Sequence, residues 1–173
     1  NFFAGLDGSA LAREKVMRGK NGWSDWCAGR LKPAGPYDSL TQCFNDNAAK
    51  IGDDVNAYAK AMRLSNDVVS EIEKNNGIST EGLFGGKNLD VNKSKTELFD
   101  KVKGECSGYL EGATVDDLSY TQIRDLYFDC LVLGGKGGGV SDEIGKKNIE
   151  ADLEKIEKSL KESIEYRGIK KKA

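Results

Sequence analysis

The sequence predicts an all-α fold, a compact disulfide-stapled bundle of about five or six helices, and three observations lead there. Apolar residues recur at three- and four-residue steps through several stretches. No run of alternating β-branched and polar residues of useful length occurs, and no Asn-Gly pair stands between two such runs. The four cysteines, Cys27, Cys43, Cys106 and Cys130, are even in number and widely spaced, which reads as two bridges.

The elements follow in order. Leu6 to Arg18 predicts a first helix with Ser9 as its cap, ended by Gly19 and Gly22. A helical turn over Ser24 to Leu31 carries Trp26 and Cys27, with Trp23 just before it, and stops at Pro33-Ala34-Gly35-Pro36. From Ser39 a long helix is expected, because Leu40, Cys43, Phe44, Ala48, Ile51, Val55, Tyr58 and Met62 share one face. Ser65-Asn66-Asp67 then either bends this helix or caps a new one through Ile72, and Asn75-Asn76-Gly77 ends it.

Ser94 is placed as the cap of a helix through Leu98, Val102, Cys106 and Leu110, and the Ser119 region opens another through Ile123, Leu126, Cys130 and Leu133. A small turn over Val115 to Leu118 joins the two. Ser141-Asp142-Glu143 opens the last helix, whose Ile149, Leu153, Ile156, Leu160 and Ile164 form a narrow stripe suited to packing on one or two partner helices. A single domain over 1–173 is expected, two small helical lobes being the other arrangement this length permits. Flexible connections are expected near 77–92 and 134–140, where glycine is frequent; each helical Gly is worse than Ala by about 1 kcal/mol.

Among the three ways to pair four cysteines, Cys27 with Cys43 is favoured, because the proline turn between them folds one segment back on the other. Cys106 then pairs with Cys130. Each closed loop contributes on the order of 3 kcal/mol. Two bridges together with a chain that opens on Asn1 rather than Met are read as a secreted, extracellular protein whose leader has been removed. Asn92-Lys93-Ser94 is a glycosylation sequon in keeping with export.

Charge and motif content narrow the chemistry. Lys and Arg number 26 against 28 Asp and Glu, mixed along the chain, so no basic footprint for nucleic acid exists. The basic run Arg167, Lys170, Lys171 and Lys172 reads as a solvated tail. No stretch approaches the about 18 apolar residues of a membrane span.

There is no histidine, which removes Ser-His-Asp and Cys-His catalysis and His-ligated metal sites. Gly82 to Asn88 lacks the spacing and the Ser or Thr of a phosphate loop, and Asp90, Asn92, Ser94 and Thr96 lack the glycine and the final Glu of a calcium loop. The pairs Asp53-Asp54 and Asp116-Asp117 are read as solvated or capping carboxylates. Trp23 with Trp26, and Tyr120 with Tyr127 and Phe128, are read as packing rather than as ligand platforms. No cofactor, no metal and no enzymatic activity are expected, and the expected state is a monomer.

The stretches Trp26-Cys27-Ala28-Gly29-Arg30, Asp38-Ser39-Leu40-Thr41-Gln42-Cys43, Cys106-Ser107-Gly108-Tyr109-Leu110 and Leu126-Tyr127-Phe128-Asp129-Cys130 resemble secreted salivary proteins of blood-feeding insects. The texture is most similar to small helical mosquito salivary effectors of the neutrophil-stimulating kind, over roughly residues 23 to 130. The resemblance implies a leader-cleaved protein injected into a host, acting on haemostasis or immune cells through a host protein or cell-surface receptor. It transfers no binding residue. Odorant-binding-type salivary relatives carry six cysteines with a Cys-x-x-x-Cys pair, which this chain lacks. Two other expectations stand beside it: a carrier of a small apolar ligand in a helical pocket, and a helical surface antigen of a parasite.

Overall fold

The computed structural model describes residues 8–77, 91–134 and 139–172. They form α1 (Gly8–Arg18), α2 (Trp23–Ala28), α3 (Leu40–Asp46), α4 (Ala48–Asn75), α5 (Val91–Cys106), α6 (Tyr120–Leu133) and α7 (Lys147–Lys172). Short 3-10 turns lie at Ser107–Leu110 and Val115–Asp117, and a π-helical turn at Asp142–Lys146 leads into α7. Among the described residues the single β feature is an isolated bridge between Leu31 and Tyr37, so the fold is all-α. Most of the expected connections at 77–92 and 134–140, the first helix's start at Leu6, and the side chains of Ser9, Ile164 and the basic tail lie outside the described residues.

The chain divides into two compact units, one taking residues up to Val68 with Phe128–Ile149, the other Val69–Tyr127 with the residues from Glu150 on. In the first unit α2 packs against α1, α3 and the π-helical turn. Val16, Trp23, Tyr58, Leu131, Val132, Ile144 and Ile149 are its fully buried large side chains, each such aliphatic contributing roughly 1.5–3 kcal/mol by leaving water. In the second, the two 3-10 turns pack against α5, and Leu98, Val102, Ile123 and Leu126 are buried.

Three local expectations change. The long helix expected from Ser39 is broken at Asn47, whose φ of −109° and ψ of 15° end α3 before α4 begins. The Asn47 amide donates to the Cys43 carbonyl at 2.8 Å and to the Tyr37 hydroxyl at 3.2 Å, and so satisfies a carbonyl that a terminating helix exposes. Ser39 does cap α3, accepting from the Gln42 amide at 3.1 Å. Conversely, Ser65-Asn66-Asp67 does not cap a new helix: α4 continues through it to Asn75, with Ser65 buried. Ser94 is not a cap either. It lies inside α5, fully buried, and accepts from the Asn76 amide at 3.3 Å.

A fourth change is larger. Asp53 is exposed as expected, but its neighbour Asp54 is 1% exposed. Its carboxylate accepts from the Trp23 indole N–H at 3.0 Å, from the Ser141 amide at 2.6 Å and from the Ser141 hydroxyl at 2.7 Å. A buried charge is tolerated where donors replace its water shell, and these three come from α2 and from the residue that starts the π-helical turn. Just beyond, Gly145 passes so close to Val140 that a Cβ would collide with its side chain. Lys50, one turn before Asp54, pairs at 3.5 Å with Glu143 on the outside, an exposed pair of small energetic weight.

Cys27 and Cys43 form the expected disulfide, Cα to Cα 5.8 Å. No cysteine among the described residues is free, Cys106 and Cys130 each being disulfide-bonded as well.

Asp54→Ala leaves the indole and the Ser141 donors without their acceptor, and urea unfolding is expected to show a loss of about 3–5 kcal/mol. A loss below 1 kcal/mol would contradict the role given to this carboxylate. Replacing Cys27 and Cys43 together by serine opens a loop of 16 residues' separation, and the same assay under oxidising conditions should register a decrease of about 3 kcal/mol.

Candidate functional site

The candidate site lies in the second unit and is built on residues 107–119. After α5 the backbone makes the Ser107–Leu110 turn and then enters the left-handed region twice, at Glu111 (φ 47°) and Gly112 (φ 82°). Glycine adopts that region freely, whereas Glu111 is strained there by roughly 1 kcal/mol. The Ala113 amide donates to the Leu110 carbonyl at 2.7 Å and closes the reversal.

Thr114 and Asp117 then cap the second turn reciprocally. The Asp117 carboxylate accepts from the Thr114 amide at 2.9 Å and from its hydroxyl at 3.0 Å, while the Asp117 amide donates to the Thr114 carbonyl at 3.0 Å. Ser119 and Gln122 repeat the device at the start of α6, at 2.7 and 3.1 Å. These bonds give a glycine-containing segment a defined course.

That course buries Leu110 and Leu118 and leaves a half-open groove of about 400 Å³ between the segment, Leu126 of α6 and Leu153, Ile156 and Leu160 of α7. Glu111, Asp117, Glu157 and Lys161 also line it. Two hollows adjoin the same segment. One of about 480 Å³ is lined by Phe99, Lys103, Leu110 and Val115, and one of about 270 Å³ by Lys95, Asp116, Asp117 and Ser159.

The α7 stripe therefore behaves differently from the packing seam expected of it. Ile149 is buried, but Leu153, Ile156 and Leu160 are half-buried and line the groove. None of these residues was singled out as a site from sequence. The available signal was the pair Leu110 and Leu118 bracketing a polar, turn-forming stretch opposite that stripe.

The aromatic groups are used for packing. Trp23 is fully buried, and Trp26 meets its ring edge-on at 5.0 Å between centroids. The Arg30 guanidinium covers Trp26 at 3.8 Å and donates to the Trp26 carbonyl at 3.0 Å. Tyr127 is buried, and Phe128 lies tilted 6.2 Å from Tyr58.

Tyr120 donates to Glu73 at 2.9 Å. Burial first, and the Glu73 carboxylate second, push its hydroxyl above the usual tyrosine range. Burial and then Glu105 raise Tyr127 as well. Glu143, whose carboxylate accepts a backbone hydrogen bond and faces Lys50, is held below the ordinary glutamate value.

Asn92 of the sequon is exposed in the first turn of α5. Its partner Ser94 is committed to the buried contact with Asn76. Among the described residues, no three His, Cys, Asp or Glu side chains gather as metal ligands would, and no helix is long and apolar enough to cross a membrane. No protein-family model, curated protein or solved structure matches the chain.

With an apolar floor, a charged rim and one side open, the groove is suited to holding an amphiphilic guest. The strain at Glu111 gives a direct check on its construction: Glu111→Gly should exceed Glu111→Ala in unfolding free energy by about 1 kcal/mol. Equal thermal stability of the two variants would remove the left-handed backbone from the account.

Proposed function

We propose that this chain is a secreted, non-enzymatic binding protein that engages a host protein or cell-surface target and modulates haemostasis or immune cells, with the 107–119 groove as its contact surface. The half-open groove of about 400 Å³, apolar below and charged at its edge, carries the reading. A concave site with an apolar floor and a few polar groups at its edge is where folded proteins usually bind a ligand or partner. Support also comes from two disulfides, which suit an oxidising compartment, and from a sequence without histidine. The resemblance of the cysteine-bearing stretches to mosquito salivary effectors points to a host of a blood-feeding insect and to neutrophils among its cells.

A second reading, a carrier of a small apolar ligand, is favoured by the groove's volume, which falls in the range of about 300–1,000 Å³ typical of ligand sites.

The leading reading is tested by flow cytometry of labelled protein on mammalian leukocytes, comparing wild type with Ile156→Arg. This substitution lies at a half-buried groove position, and its folding is checked by circular dichroism. Saturable binding by wild type that weakens at least tenfold in the variant is the expected outcome. Equal binding by both would take the groove out of the proposal, and no binding by either to leukocytes or platelets would overturn the host-cell reading.

A further inference from the structure

We infer that Asn92 is a site of N-linked glycosylation whose use is confined to the chain before α5 folds, because folding buries the hydroxyl that the reaction reads; this rests on the chain entering a secretory compartment. Asn92-Lys93-Ser94 is the one Asn-x-Ser/Thr sequence of the chain. Such sequences usually lie in surface loops, whereas this one falls in the first turn of a helix of 16 residues.

The helix separates the two groups that the transferase needs together. At 3.6 residues per turn, side chains two apart point about 200° away from each other. Asn92 accordingly faces solvent, and Val91, Lys93 and Thr96 around it are exposed as well, so a glycan there meets no packed surface. Ser94 is fully buried. Its hydroxyl accepts from the Asn76 amide at 3.3 Å, and the same amide donates to the Ile72 carbonyl at 3.0 Å, at the end of α4. Leu98, one turn further along α5, is fully buried too. Freeing the hydroxyl therefore means lifting the first turns of α5 from the end of α4, a local unfolding rather than a side-chain rotation.

The chemistry fits this order. The Asn92 amide nitrogen gives up a proton and bonds to the anomeric carbon of a lipid-diphosphate-linked oligosaccharide. The bond from that carbon to the diphosphate breaks, and the lipid diphosphate leaves with the electron pair and takes up the proton. The Ser94 hydroxyl serves recognition and is not consumed, so it stays available to Asn76 afterwards. Asn76 precedes Ser94 by 18 residues and is already made when the sequon emerges. Modification and the Asn76 contact thus compete for one hydroxyl, and only the order of glycan first and α5 second permits both.

The test places the full-length chain behind a cleavable leader in a eukaryotic secretory cell line and maps the product by mass spectrometry after peptide N-glycosidase digestion, which converts a glycosylated asparagine to aspartate. A glycan at Asn92 is expected in the secreted protein and is lost in Asn92→Gln, whose exposed side chain leaves folding unchanged by circular dichroism. Secreted wild type without a glycan overturns the site. In a second arm, bacterially made chain with its disulfides closed is offered to purified oligosaccharyltransferase and its lipid-linked donor, beside the same chain reduced, alkylated and shown by circular dichroism to be unfolded. The unfolded chain should be modified at least tenfold faster, because the folded one reacts only through its rare open form. Equal rates overturn the ordering. Since the leader is supplied, a negative result bears on the sequon alone, whereas the host-target reading stands or falls separately on the leukocyte experiment.

Discussion

A carboxylate taken out of water must be met by donors, and in the first unit Asp54 shows how that requirement organises the helices around it. The residue sits in a helix, where its own backbone offers it nothing, so the donors come from elsewhere: the indole of Trp23 at the start of α2 and both groups of Ser141 ahead of the π-helical turn. One side chain thereby fixes two otherwise short, weakly determined pieces against α4. Six-residue α2 has little intrinsic tendency to persist. It persists because Trp23 is buried and bonded, because Cys27 is tied to Cys43, and because Arg30 covers the remaining face of Trp26.

The same logic explains the break between α3 and α4. The disulfide and the Ser39 cap set where α3 lies, and Asn47 lets the backbone leave that helix by satisfying the Cys43 carbonyl while binding Tyr37. Tyr37 is itself held at Leu31, the Lys32 amide donating to the Tyr37 carbonyl at 2.8 Å. The proline turn, the disulfide and the asparagine break thus form one closed loop of constraints around residues 27 to 47.

The groove is produced by a different means. Its wall is two short 3-10 turns and the reversal between them: two reciprocal caps, Thr114 with Asp117 and Ser119 with Gln122, hold it, and the left-handed pair Glu111 and Gly112 reverses it. Strain at Glu111 is absorbed by the hydrogen bonds around it and by the burial of Leu110 and Leu118. What remains is apolar surface of α7 that the segment flanks but does not seal. A helix stripe left half-covered beside a rigid loop is how a helical protein obtains a binding surface without giving up its core.

By itself the sequence determined the helical class, most helix positions and the Cys27 to Cys43 bridge, because these depend on periodicity, on local caps such as Ser39 and Ser119, and on the proline turn that brings two cysteines together. It also foresaw the small turn at 115–118. Tertiary structure decided the rest. Asp54 and Asp53 are indistinguishable as letters, and only the placement of Trp23 and Ser141 separates a buried hub from a solvated neighbour. Ser94 and Ser65 look like caps until long-range packing buries them. The boundaries of the two units fall inside α4, α6 and α7, where no change in composition marks them. The stripe Leu153, Ile156 and Leu160 reads the same whether a partner helix covers it or a groove opens over it. Periodicity states which side chains share a face, whereas what meets that face depends on contacts far apart in the chain.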